Sequence, residues 1–279
     1  MIEQLTALVH GPTWTAFVAG GVAVVAAATL LWLLALKLRD VSIVDVFWGL
    51  GFVGAAWIYR AFGPPAEPRQ WLVLALVTVW GVRLSGYLLW RNWGTEEDYR
   101  YREMRRKDGD AFWWKSYFKV FLLQGLLISI IATPLLLVEA SENPPGWRWS
   151  DGVGLALWLI GFYFEAVGDL QLARFKADPE NRGEVLRSGL WGWTRHPNYF
   201  GDATLWWGYF FFALAVPGGF WTLPSVLLMN LFLLKVSGVA LLEKTIAERR
   251  PEYRDYVEST PAFFPRPPRR SRGDGGGGS

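Results

Sequence analysis

The sequence predicts an all-α fold, a polytopic bundle of about seven transmembrane helices with its N-terminus outside and its C-terminus in the cytoplasm. Three observations predict it. Of the 279 residues 52% are hydrophobic, and the 18 Trp and 18 Phe exceed what a soluble domain of this length accommodates. Apolar runs long enough to cross a bilayer recur along the chain. Lys and Arg are unevenly placed, so that basic-rich and basic-poor loops alternate.

Taken in order, the spans read as roughly 14–38, 43–62, 70–92, 115–139, 152–173, 198–216 and 221–244. The first carries no charge until Lys37. It is too long for a signal-peptide core and lacks a basic N-terminal region. Trp and Tyr gather near several span ends, as interfacial anchors do. No Lys or Arg precedes the first span, and Lys37 and Arg39 follow it. The next loop holds Arg60 and Arg69. The third carries Arg91, Arg100, Arg102, Arg105, Arg106, Lys107 and Lys115, whereas the fourth has only Arg148. Arg174, Lys176, Arg182, Arg187 and Arg195 follow the fifth span, and the Pro217-Gly218-Gly219 turn has no basic residue. An odd number of spans satisfies this alternation. Residues 1–270 therefore read as a single transmembrane domain, and the Gly-rich tail Ser271–Ser279 reads as disordered.

Composition also removes whole classes of function. With no cysteine there are no disulfides, thiolate metal sites, cysteine nucleophiles or palmitoyl anchors. Two histidines, His10 and His196, do not make a His-rich metal site, and no metal is expected. A net charge of +3 does not suggest nucleic acid as a partner.

Ionisable residues inside spans are costly, and here they are Asp45, Arg83, Lys119, Glu165, Asp169, Asp202, Lys235 and Glu243. In the predicted orientation most lie in the cytoplasmic half. Arg83 and Tyr87 are four residues apart and share a helix face, as do Glu165 and Asp169. Single members of this set read equally well as internal ion pairs or as side chains snorkelling to the interface. Acids and bases from five spans at one depth point to a polar pocket.

The densest stretch runs from Leu186 to Trp207 and contains Arg195-His196-Pro197-Asn198-Tyr199-Phe200-Gly201-Asp202. Gly189 and Gly192 permit tight backbone and close ligand approach. Pro197 suits the first turn of a helix, so the sixth span starts near it. A helix start favours a bound anion, and Arg187, Arg195 and His196 add donors for phosphate. The Asn198 amide can read a nicotinamide carboxamide or an adenine edge, and Trp191 and Trp193 can flank a ring. The segment predicts a cradle for a phosphate-bearing nucleotide, approached from the cytoplasm.

The run from Arg195 to Asp202 resembles the signature of membrane steroid and sterol reductases. The C-terminal half is similar to the steroid 5α-reductase family, and most of all to its bacterial branch, which carries a domain of unknown function, DUF1295. Supporting stretches are Gly161 to Lys176, Ser188-Gly189-Leu190, and Glu243-Lys244 followed by Pro251-Glu252-Tyr253. The match is specific over about 160–265, weaker over 40–110 and absent from 1–38.

The resemblance implies NADPH held on the cytoplasmic side of a seven-helix bundle in a bacterial inner membrane. It also implies a lipophilic 3-oxo-Δ4 steroid, or a similar lipid enone, that enters from the bilayer and takes hydride at its β-carbon. The protein would then be an NADPH-dependent 3-oxo-5α-steroid 4-dehydrogenase, monomeric and surrounded by membrane lipid. Asp169, Asn198 and Asp202 match polar cofactor contacts of the family. Arg195 and His196 match the sterol reductase form better than the animal steroid enzymes. Arg174, Lys176, Arg187, Trp193, Tyr199 and Glu243 complete the expected cofactor set. Tyr87 matches the tyrosine that bonds the substrate ketone, with Arg83 one turn before it. Animal members pair that tyrosine with a Gln-Glu dipeptide on the second span. Here Asp45 and Trp48 stand in that span instead, with Asp45 the expected catalytic partner of Tyr87.

The chemistry is coherent in itself. Hydride arriving at an enone loads negative charge onto oxygen, and a tyrosine hydroxyl can bond it there. A neighbouring Arg83 would favour phenolate, and Trp-lined walls would exclude water. Two other readings use the same residues. One is a membrane methyltransferase of the isoprenylcysteine carboxyl type, which shares an Arg-His-Pro-x-Tyr segment and binds S-adenosylmethionine. The other is a non-catalytic lipid-binding protein. Asp202 and the Glu165/Asp169 pair favour the reductase.

Overall fold

The computed structural model describes residues 11–236 and 253–267. All regular structure there is helical. The chain divides into two compact units, Met1–Leu155 with Gly208–Val226, and Ala156–Trp207 with Leu227–Ser279.

The first unit holds α1 (Pro12–Leu38), α2 (Ile43–Phe62), α3 (Pro68–Asn92) and a short polar helix, α4 (Tyr99–Asp108). It continues through α5 (Phe112–Ser116), a π-helical turn at Tyr117–Leu122, α6 (Leu123–Ile131) and α7 (Thr133–Ala140). The start of α8 (Trp149–Ala177) and the end of α9 (Pro197–Ala213) also belong to it. The second unit takes the rest of α8 and α9, the later part of α10 (Leu223–Leu231), a π turn at Phe232–Val236, and α11 (Tyr253–Ser259).

Five helical stretches are long and apolar enough to cross a membrane: Pro12–Leu38, Ile43–Phe62, Pro68–Asn92, Tyr99–Ile131 and Trp149–Ala177. Four of them match the expected spans 14–38, 43–62, 70–92 and 152–173, whereas Tyr99–Ile131 starts well before the expected 115–139 and shares only 115–131 with it. The sixth expected span falls on α9, a helix of 17 residues. The seventh begins in the apolar helical stretch Gly219–Lys235, and its end lies outside the described residues, as do Glu243 and the Gly-rich tail.

Along α1 small residues face inward and large ones outward. On α1 the buried positions are Ala16, Gly20, Val24, Ala28 and Ala35, four or seven residues apart and so on one stripe. Val22, Leu30 and Leu33 stay exposed. Packing between spans depends on this, because helices surrounded by lipid gain from close contact rather than from hiding apolar area. A Cβ on Gly49 of α2 would meet the Gly81 carbonyl of α3 at 2.4 Å, and one on Gly20 would meet the Tyr59 ring at 2.3 Å.

Local signals explain the ends. Glu67 and Gln70 form a reciprocal capping box at the start of α3, with Pro68 in the first turn. The expected span 115–139 is broken at Ala132. Pro134 lacks an N–H and its ring cannot follow a preceding helical turn, so the helix breaks ahead of it and α7 restarts at Thr133 with Pro134 in its first turn.

A buried polar cluster in this unit was not expected. Arg69 donates Nε and Nη2 to the two carboxylate oxygens of Asp151 at 2.7 and 2.8 Å. It also donates to the carbonyls of Pro144 and Gly146, and so fixes the loop before α8. Glu139 is fully buried, and Arg60 donates to its main-chain carbonyl at 2.8 Å.

Candidate functional site

Within the second unit, the C-terminal half of α8 presents Glu165 and Asp169 one turn apart, both buried. Glycines bring α9 against this face. A Cβ on Gly161 would meet the Gly201 carbonyl at 2.5 Å, and one on Gly201 would meet the Glu165 nitrogen at 2.4 Å. Gly168 sits under Pro197, whose ring carbon is 3.1 Å from where a Cβ would be. Gly161 and Gly168 are seven residues apart, hence on one face.

The start of α9 is thereby set against the acids of α8. Asn198 Nδ2 donates to Asp169 Oδ1 at 3.1 Å. Asp202 follows Asn198 by one turn and is buried. His196 is also buried, its ring stacked on Tyr199 with centroids 5.8 Å apart. The loop before α9 is tied to α8 as well. Trp191 Nε1 donates to the Gly168 carbonyl at 3.0 Å, and the Leu190 N–H donates to Gln171 Oε1 at 3.0 Å. Gly189 has φ of +60°, a conformation that only glycine adopts without strain.

Residues 253–267 clasp this loop. Arg195, buried, donates Nη1 to the carbonyls of Val257 and Thr260 at 2.8 and 2.7 Å. Its main-chain N–H reaches the Pro261 carbonyl at 3.0 Å. Thr194 Oγ1 donates to the Phe263 carbonyl at 2.9 Å, and the Arg266 N–H donates to the Trp193 carbonyl at 2.9 Å. Of the expected cofactor residues, the second unit brings together Asp169, Arg195, His196, Asn198, Tyr199 and Asp202. Arg174, Lys176, Arg187 and Trp193 are exposed, with the Arg187 guanidinium 5.8 Å from the centre of the Tyr256 ring. The clasp itself went unseen, because nothing in the local pattern of residues 253–267 marks it as a partner of Thr194 and Arg195.

The four residues expected at the substrate site belong to the first unit. The Arg83 guanidinium lies 5.4 Å from the centre of the Tyr87 ring, and that of Arg91 lies 5.8 Å from it. Trp48 packs edge-on against Phe52 at 5.3 Å. Asp45 accepts from Arg100 Nη2 and from the Tyr101 hydroxyl, each at 2.7 Å. Asp45 is therefore held as an acceptor, which suits a positioning role better than proton donation. The same corner pins the segment before α4, since the Asp98 N–H donates to Ser42 Oγ at 2.7 Å and the Val41 N–H donates to Glu97 at 2.9 Å. Lys119, inside the expected fourth span, reaches Asp108 with its ammonium at 2.6 Å. Asp98 is half buried. Burial alone would raise its carboxyl, but hydrogen bonds from the Arg100 side chain and main chain outweigh that and hold it below the ordinary aspartate value. Among the described residues no group of three or more His, Asp or Glu side chains is placed to hold a metal ion.

The family profile described as "Protein of unknown function (DUF1295)" matches residues 31–260. The chain belongs to the DUF1295 family. The match covers α2 to the clasp, including every described residue of the cradle up to Thr260. A relative is an uncharacterized protein of Schizosaccharomyces pombe, C594.04c, 25% identical over 265 residues that make up 85% of this chain and 76% of the relative. No solved structure matches the chain. DUF1295 membership is compatible with a membrane enzyme of reductase or methyltransferase type.

Proposed function

We propose that this DUF1295 protein is an NADPH-dependent reductase of a lipophilic enone, with a 3-oxo-Δ4 steroid as the substrate class. The observation that carries the reading is the Asn198–Asp169 contact at 3.1 Å, at a helix start that also buries Arg195 and His196. A side-chain amide fixed by a carboxylate suits a nicotinamide carboxamide. Arg174, Lys176 and Arg187 are exposed cations of the kind that binds phosphate oxygens, and Trp193 is exposed to take a ring. The residues present thus fit the cofactor.

When bound, NADPH supplies a hydride. The chain's own residues bind and orient it and stabilise what forms on the substrate. As hydride reaches the β-carbon, the enone electron pair moves to oxygen, and a hydroxyl donor there lowers the barrier. Tyr87 is the proposed donor, beside the cations Arg83 and Arg91. The α-carbon then takes a proton from solvent, giving the 5α-reduced ketone. Asp45 holds Arg100 and Tyr101 in place. The proposal includes the topology inferred from the basic loops: N-terminus outside, cradle open to the cytoplasm, in a bacterial inner membrane, with the protein acting as a monomer.

The test is thermal stability of detergent-solubilised protein with NADPH and with S-adenosylmethionine. It is paired with NADPH oxidation against a panel of lipid enones, with products identified by mass. Stabilisation by NADPH and reduction of a 3-oxo-Δ4 steroid are expected. Stabilisation by S-adenosylmethionine alone would move the protein to the methyltransferases. Binding of neither, with no turnover, would leave a lipid-binding role.

A further inference from the structure

The clasp of the second unit encloses a cleft of about 220 Å³. Its polar lining is Arg195, Glu258, Ser259, Thr260 and Arg266, and Gly192 also lines it. Whole-ligand pockets start at roughly 300 Å³, so this cleft takes one end of a cofactor rather than a dinucleotide. The Arg195 guanidinium is fixed by two main-chain carbonyls, which position it without removing its charge. Arg266 starts from a fixed point too, because its N–H is bonded to the Trp193 carbonyl. Its side chain is exposed, and among the described residues no carboxylate pairs with it. Two guanidinium groups and one carboxylate, that of Glu258, line the cleft.

We propose that this cleft binds a phosphomonoester dianion, the 2′-phosphate of NADPH, and that Arg266 separates NADPH from NADH. The inference rests on the reductase reading and adds to it a residue and a subsite. Guanidinium groups are suited to phosphate because they present parallel N–H donors to two oxygens at once. An arginine beside the adenosine ribose is the general means of accepting a 2′-phosphate, whereas a carboxylate there favours the free 2′-hydroxyl of NADH. Arg266 and Glu258 thus set opposite preferences within one cleft, with Arg195 tipping it towards phosphate.

The test uses full-length protein in detergent and measures binding of 2′,5′-ADP, 5′-AMP, inorganic phosphate, NADPH and NADH by thermal shift and calorimetry. Arg266→Gln should weaken 2′,5′-ADP and NADPH by about tenfold to a hundredfold, the loss expected for a charge-assisted hydrogen bond. It should leave 5′-AMP and NADH unchanged. Arg266→Lys should recover part of the loss. Glu258→Gln should tighten 2′,5′-ADP. If Arg266→Gln binds NADPH as tightly as the unaltered protein, the inference fails while the reductase reading stands. If inorganic phosphate binding alone falls in that variant, the cleft holds phosphate from another source and the 2′-phosphate assignment is overturned. If neither NADPH nor NADH binds the unaltered protein, it is the reductase reading that fails.

Discussion

Asn198 and Asp169 meet at 3.1 Å, amide to carboxylate, joining the first turn of α9 to α8. The carboxylate orients the amide and the Tyr199 N–H donates to its oxygen at 3.0 Å, so the remaining amide hydrogen is the part that can read a ligand. Asn198→Asp would set two carboxylates against each other. We expect NADPH binding to weaken by roughly tenfold to a hundredfold, since a hydrogen bond to a charged group contributes about 1.5–3 kcal/mol. Unchanged affinity by titration would remove Asn198 from the cradle.

Tyr87→Phe removes only a hydroxyl. With the reductase reading, kcat for a 3-oxo-Δ4 steroid should fall by roughly a hundredfold or more, the usual loss for one oxyanion donor. NADPH affinity should stay the same. Undiminished progesterone turnover would rule out this assignment of the ketone donor.

Arg69 and Asp151 form a bidentate pair, nearly fully buried. Removing one partner leaves a buried charge uncompensated and costs about 3–5 kcal/mol. Arg69→Ala should therefore lower the melting temperature sharply in detergent. An Arg69→Met/Asp151→Leu double variant should recover much of it. Equal instability of the double variant would show that the bonds to Pro144 and Gly146 matter more than the ion pair.

Gly161 has no room for a side chain, since a Cβ would meet the Gly201 carbonyl at 2.5 Å. Gly161→Val should destabilise by about 1–3 kcal/mol or displace α9, with loss of NADPH binding. Gly152, on the same helix, has nothing within 4 Å of a Cβ, and Gly152→Ala should be neutral. Circular dichroism melts of both variants decide this.

Asp98 caps α4, accepting from the Arg100 N–H at 2.9 Å. Its carboxyl lies below the ordinary aspartate value when folded. Such a group adds stability that is fully present above the unfolded value, about 3.9, and is lost as pH falls through the folded one. Stability should therefore drop below roughly pH 4 in the unaltered protein. In Asp98→Asn that part of the drop should vanish, and the variant should be less stable at neutral pH. Parallel acid limbs for the two proteins would contradict it.

What the sequence alone determined is what the bilayer dictates. A helix that spans it must be long and apolar, so α1, α2 and α3 were readable from composition almost to their ends. Pro197 marked the start of α9, because a proline in the first turn sacrifices no hydrogen bond. The cradle residues Arg195 to Asp202 stood out as polar side chains where lipid would exclude them. Tertiary structure alone decided the pairings. Asp45 answers to Arg100 across 55 positions, Arg69 to Asp151 across 82, and Arg195 to Thr260 across 65. Any acid could serve any base, and no local period encodes the choice. The glycines are the plainest case: Gly161 and Gly201 look alike in sequence to Gly152, and only the approach of a second backbone makes them irreplaceable.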